Sequence, residues 1–111
     1  MNVKDKVAKE VVLSVKNIFG KKLKKVILYG SYARGDYDAE SDIDFMVLAD
    51  IERESIPHYR PQVYQVSNDV GLENNIFVSM MLNNDRFFFN NLKVSNFYRN
   101  VMKDGKVLYD R

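Results

Sequence analysis

Two aspartates one residue apart, Asp42 and Asp44, lead straight into the apolar run Phe45-Met46-Val47-Leu48. Read as a strand over residues 42–48, this segment alternates faces. Both carboxylates then leave the same face, roughly 6.5–7 Å apart along the strand, while Ile43 and Phe45 point to the other face as a core-facing pair should. Two carboxylates on one face repel each other and lose hydration unless a cation sits between them. Donors that are oxygen only suit Mg²⁺ or Mn²⁺, with substrate phosphates completing the shell. The competing reading makes Asp42 a loop cap and Asp44 an exposed edge-strand residue, and the apolar run that follows at once argues against it.

A second feature lies a dozen residues upstream. The apolar run Val26-Ile27-Leu28-Tyr29 ends in Gly30-Ser31, and Tyr32-Ala33-Arg34-Gly35 follows. A strand that ends in Gly-Ser and opens a helical turn exposes free backbone N–H groups. Glycine lets a phosphate approach the backbone, and the helix start favours the anion. Ser31 reads as the N-cap of that turn and adds a hydroxyl for the same phosphate. Arg34 either supplies a bidentate charge or locks the loop onto Asp36 or Asp38. A phosphate cradle and a carboxylate pair this close form a coherent nucleoside triphosphate site, of the kind two-metal phosphoryl transfer uses.

The remaining chain predicts the surroundings. Val7, Val11, Val12, Val15, Ile18 and Phe19 recur at helical spacing over residues 3–19, with Gly20 as the stop. Residues 52–61, holding both prolines, read as a breaker-rich connector. A helix is expected over 62–70, a third strand over 76–82, short helices around Phe87-Phe88 and around 94–103, and an extended Val107-Leu108-Tyr109. The expected fold is α+β: a small mixed sheet with helices mainly on one face, in a single domain spanning residues 1–111.

Composition closes several routes. With no cysteine and one histidine, His58, thiolate zinc sites, disulfide scaffolds, cysteine nucleophiles and multi-histidine metal sites are excluded. No apolar run approaches the roughly 18–20 residues of a membrane span. No apolar block follows the first lysines, so a signal peptide is not expected and a cytoplasmic location is. Residues 1–25 hold eight lysines against Asp5 and Glu10, a local charge of +6, and the remainder carries −4. The basic stretch 21–25 falls at the far end of the strand leading to Gly30, which argues against a part in holding triphosphate. Direct nucleic-acid binding is not expected. His58 reads as a surface residue. The run Phe87-Phe88-Phe89 reads mostly as core, with Phe89 the one expected to be exposed.

At Gly30, Ser31, Arg34, Gly35, Ser41, Asp42 and Asp44 the sequence resembles the minimal nucleotidyltransferases of the polymerase-β-like, kanamycin nucleotidyltransferase-like superfamily. Asn96-Phe97-Tyr98-Arg99-Asn100-Val101 and Asp104-Gly105 look like the closing segment of such domains. The resemblance implies the nucleotidyltransferase fold and transfer of a nucleoside monophosphate from an NTP, ATP favoured, to an acceptor hydroxyl with release of pyrophosphate. It implies two divalent ions, Mg²⁺ or Mn²⁺, held by Asp42 and Asp44. Gly30 and Ser31, with Arg34 and Ser41, would serve the nucleotide. It also implies a small helical partner of the HEPN type, in toxin–antitoxin pairs where the nucleotidyltransferase is the antitoxin, and in some of them the acceptor is a partner tyrosine. A homo-oligomer is compatible with it.

One position departs from the family pattern. A third carboxylate is expected on the next strand, and Ser79 falls in its slot. Serine is a poor metal ligand and a poor base. Glu73 and Asp50 share the required strand parity but lie too far along, and Asp69 and Asp85 sit on flanking segments. Two expectations follow: an enzyme of reduced or partner-assisted activity, or a binding module that works by covering a helical partner.

Overall fold

The computed structural model describes residues 2–111. Helix α1 spans Val3–Phe19. The Asn2 side chain accepts the Asp5 N–H at its start, and Gly20 with φ +57 ends it. Strand β1, Leu23–Tyr29, begins inside the basic stretch, three residues earlier than the apolar run alone suggests. Lys24 and Lys25 are only half-buried, and Lys25 reaches Asp110. A four-residue helix α2, Ser31–Arg34, leads through the 36–42 loop to β2, Ile43–Ala49.

The expected connector is the largest correction. Helix α3 runs Ile56–Asn74, absorbing most of residues 52–61 and both prolines. Pro57 lies in the first turn, where its missing N–H costs nothing, and Pro61 sits where only the first internal hydrogen bonds form. Ile56, Val63 and Val70 bury one stripe, and that burial outweighs the local breaker signal. Gly71 lies inside the helix. Asn75, in the left-handed region at φ 54, ends it, and the Asn75 and Ile76 N–H groups both donate to the Gly71 carbonyl.

This turn delays the third strand, so β3 is Val78–Asn84 rather than 76–82. Asn84 caps α4, Asp85–Asn90, by accepting the Phe87 N–H at 2.8 Å, and donates to the Ile51 carbonyl at 2.6 Å. Helix α5, Asn96–Asp104, and strand β4, Lys106–Asp110, complete the order.

The sheet is mixed, in the order β3-β2-β1-β4. β1 pairs antiparallel with β2 and β4, while β2 and β3 are parallel, a pairing that needs the crossover α3 supplies. The two long helices, α1 and α3, cover one face over Leu23, Val26, Leu28, Ile43, Phe45 and Val47. The short helices α4 and α5 cover part of the other, over Ile27, Met46 and Leu48 with Phe88 and Val101. The helices are thus mainly on one face, with a thinner second layer behind. Among the described residues, no helix is long and apolar enough to cross a membrane.

Candidate nucleotide and cation site

The site forms at the end of the sheet where β1 finishes and β2 and β3 begin. Tyr29 is the β1 partner of Asp44, and Ser79 is its β3 partner. In register, all three side chains leave the thinner face, the side of Met46 and Leu48. Asp42 stands just before β2 rather than within it, and it is exposed.

Gly30 explains how the turn and the carboxylates meet. Its φ of +75 favours glycine, and a Cβ built there would run into Asp44 Oδ2. The backbone of the Gly-Ser turn therefore lies directly against a carboxylate. Gly30, not Ser31, is the N-cap of α2, because its carbonyl accepts the Ala33 and Arg34 N–H groups. Ser31 is the first helical residue, half-buried beside the cradle.

Asp44 is half-buried, and its carboxyl is raised above the ordinary 3.8, first by burial and then by the Asp42 charge; the Ser79 hydroxyl and Arg34 pull it back. Tyr29 is pushed up to about 12, by burial and then by Asp44. Both carboxylates thus share a pocket of negative potential that a cation would relieve. The donors are all oxygen, and burial with the neighbouring Asp42 charge already penalises an ionised Asp44, so the residues fit a hard divalent cation. They supply two carboxylates: no group of three or more His, Asp or Glu side chains gathers among the described residues. Asp50 pairs with Arg86 at the opposite end of β2, Asp69 accepts from Gln65 on α3, Asp85 opens α4, and Glu73 is exposed on α3.

Arg34 takes the bracing role. Its Nε donates to Asp36 at 3.1 Å, and its guanidinium lies 3.9 Å from Asp104 at the end of α5. The Ser41 hydroxyl is engaged in the loop, accepting the Asp38 N–H at 3.0 Å and donating to Asp38 Oδ1 at 3.3 Å. Gly30, Ser31, Asp42 and Asp44 come together, while Arg34 and Ser41 border them as loop braces. Tyr29 is a further neighbour, whose signal in the sequence is that it directly precedes Gly30. Asp104 stands in the sequence only as part of the closing segment; its place beside Arg34 comes from the packing of α5.

The basic 21–25 stretch does lie at the end of β1 remote from Gly30. His58 is exposed, on α3 instead of a connector. Phe88 is fully buried, while Phe87 and Phe89 are half-buried, so Phe89 is less exposed than expected because its ring meets Phe88 edge-on.

Comparison with known proteins adds an independent line. Residues 14–111 match the family model described as "Polymerase beta, Nucleotidyltransferase". A protein of Methanocaldococcus jannaschii named as a putative protein adenylyltransferase is 34% identical over 106 residues, covering 95% of this chain and 97% of its own. Among solved structures, one described as a putative nucleotidyltransferase from Sulfolobus solfataricus superposes with a TM-score of 0.65 at 25% identity, over 96% of this chain and 79% of that one. A chain from the complex of a tri-AMPylated Shewanella oneidensis HEPN toxin with an MNT antitoxin superposes at 0.55 and 16% identity, over 97% and 73%, a likeness of fold alone.

Proposed function

The chain belongs to the polymerase beta nucleotidyltransferase family, and on that footing we propose that it is a Mg²⁺- or Mn²⁺-dependent protein adenylyltransferase. It would move AMP from ATP to a hydroxyl of a partner protein. The observation that carries this reading is the contact between the Gly30 backbone and the Asp44 carboxylate, with Asp42 alongside. In this reading that contact would join a phosphate cradle to a cation site in one place.

In this reading the Ser31 hydroxyl and the backbone at the start of α2 hold the triphosphate. Arg34, braced by Asp36 and Asp104, and Ser41, braced by Asp38, fix the loop that carries Asp42. Asp42 and Asp44 would hold the divalent ions, whose contribution when bound would be charge neutralisation of the triphosphate. The acceptor oxygen forms a bond to the α-phosphorus as the bond to the α,β-bridging oxygen breaks; pyrophosphate leaves with that oxygen and its electron pair, and the hydroxyl proton passes to solvent. The name of the M. jannaschii relative supports a protein acceptor, and the complex of an AMPylated HEPN toxin with an MNT antitoxin supports a HEPN-type partner; a tyrosine acceptor is what the family resemblance implies.

Ser79 favours a second reading. It stands in register beside Asp44, where a third carboxylate would otherwise complete the site. The chain would then act mainly by covering its partner, with slow transfer or none.

One experiment separates the two. Label transfer from α-phosphate-labelled ATP, GTP, CTP and UTP is measured with Mg²⁺ or Mn²⁺, with and without the helical partner. Asp42→Asn and Asp44→Asn serve as controls. Transfer from ATP to protein that falls by at least about 100-fold in either variant supports the enzyme. Tight partner binding with no label under any condition supports the covering module.

A further inference from the structure

The two edges of the sheet are built differently. β4 is five residues long, starts with Lys106 and ends with Asp110. Its pairing with β1 is broken by a bulge at Val26/Ile27, and Lys25 ties down its far end. Short length, charge and bulges all discourage a strand from pairing with another chain. β3 has none of them. Its seven residues, Val78-Ser79-Met80-Met81-Leu82-Asn83-Asn84, pair with β2 without interruption and include no charge and no proline.

Apolar side chains stand in water along the same edge. Leu72 is 84% exposed, Phe77 81%, Tyr64 51% and Met81 44%. Two open cavities lie between α3 and β3, about 270 Å³ beside Leu72, Ile76 and Phe77 and about 130 Å³ beside Tyr64, Met80 and Met81.

We propose that this edge is a homodimer seam, on which a second copy of the chain lays its own β3 antiparallel about a two-fold axis at Met81. An isologous seam requires a strand complementary to itself, and β3 is one. Centred on Met81, the pairing sets Ser79 opposite Asn83 and Met80 opposite Leu82. On the face of Asp44 the Ser79–Asn83 pairs flank the two Met81 side chains, and on the face beneath α3 the Met80–Leu82 pairs lie at the centre with Val78–Asn84 pairs outside them. The α3 helices are reversed by the same axis. Arg60, the charged residue lining the groove of Tyr64 and Met81, then approaches the Asn68 end of the second copy's helix rather than another arginine.

The four exposed side chains alone offer on the order of 500 Å² per copy, against roughly 800 Å² for a standard interface, before the strand ladder is added. The two Ser79 residues come to lie four residues apart along the seam, roughly 14 Å, on one face of an eight-stranded sheet. Both Asp42–Asp44 sites stay open.

The absence of cysteine makes the register testable. Met81→Cys places two thiols at the axis, within disulfide reach, whereas Asn83→Cys places its pair about 14 Å apart. Mild oxidation of the full chain is expected to cross-link most of Met81→Cys and little of Asn83→Cys. Light scattering is expected to give twice the chain mass for the wild type and the single mass for Met81→Lys, with matching circular dichroism. A wild type that stays monomeric up to about 100 μM, or cross-linking no better at 81 than at 83, would overturn the seam and leave the edge for a strand of another protein.

Discussion

Phe45 and Asp44 are neighbours in β2 on opposite faces of the sheet. Phe45 is fully buried beneath α1 and α3, in a continuous apolar cluster running from Val7 to Met80. Asp44 is half-buried on the face that the short helices cover only around Phe88 and Val101. One face carries the cohesion of the fold. The other leaves one end of the sheet open enough for two carboxylates, and accepts their mutual repulsion. A carboxylate pair of this kind is tolerable only where the rest of the molecule is held elsewhere.

The sharpest test of that contrast is Phe45→Ala. Loss of the ring from the covered face is expected to cost about 3–5 kcal/mol in urea unfolding, enough to leave a domain of this size marginal. Gly30→Ala comes next, at about 2–4 kcal/mol, since it combines a positive φ with a Cβ driven against Asp44. Its melt should be read beside label transfer, which is expected to fall at least as steeply as in Asp44→Asn. If Gly30→Ala kept full activity, the cradle would not be where the phosphate sits. Val101→Ala, on the thinner face, is expected to cost only about 1.5–2.5 kcal/mol. A loss equal to that of Phe45→Ala would mean the two faces share the load.

The smallest effect has the opposite sign. Asp44 titrates above its ordinary 3.8 in the fold, so its contribution is fully present below that value and is lost as pH rises through the raised one. At neutral pH, without divalent ions, Asp44→Asn is therefore expected to stabilise the protein slightly, by less than any of the losses above, because solvent screens a half-exposed carboxylate. The gain should vanish in acid, where wild type and variant converge. Glu10, held below its ordinary value by Lys6 and Asn74, gives the reverse slope, and it is common to both proteins, so their difference isolates Asp44. A variant less stable than wild type at pH 7 would break the comparison.

The local elements were legible wherever a short window held their cause. Helix α1 followed from its valine spacing, and the turn after Tyr29 and the strand opening at Ile43 followed from the glycine and the apolar runs beside them. Ile43 and Phe45 did face the core. The misses share one origin. Pro57 and Pro61 suggested a connector, yet the stripe of Ile56, Val63 and Val70 buries against the rest of the molecule and wins. β3 starts two residues late because α3 needs Asn75 and Ile76 to close on Gly71.

The sequence by itself determined the chemistry on offer: two carboxylates, a glycine turn, no thiol and a serine at position 79. Side-chain type and strand parity are local properties, and 111 residues display them openly. Only the tertiary structure decided what stands beside what. It set Tyr29 and Ser79 on either side of Asp44, brought Asp104 to Arg34, and left β3 as a bare edge while β4 was shielded. These are relations between segments far apart in the chain. They come from strand order and helix packing, which depend on how the whole apolar surface is buried at once.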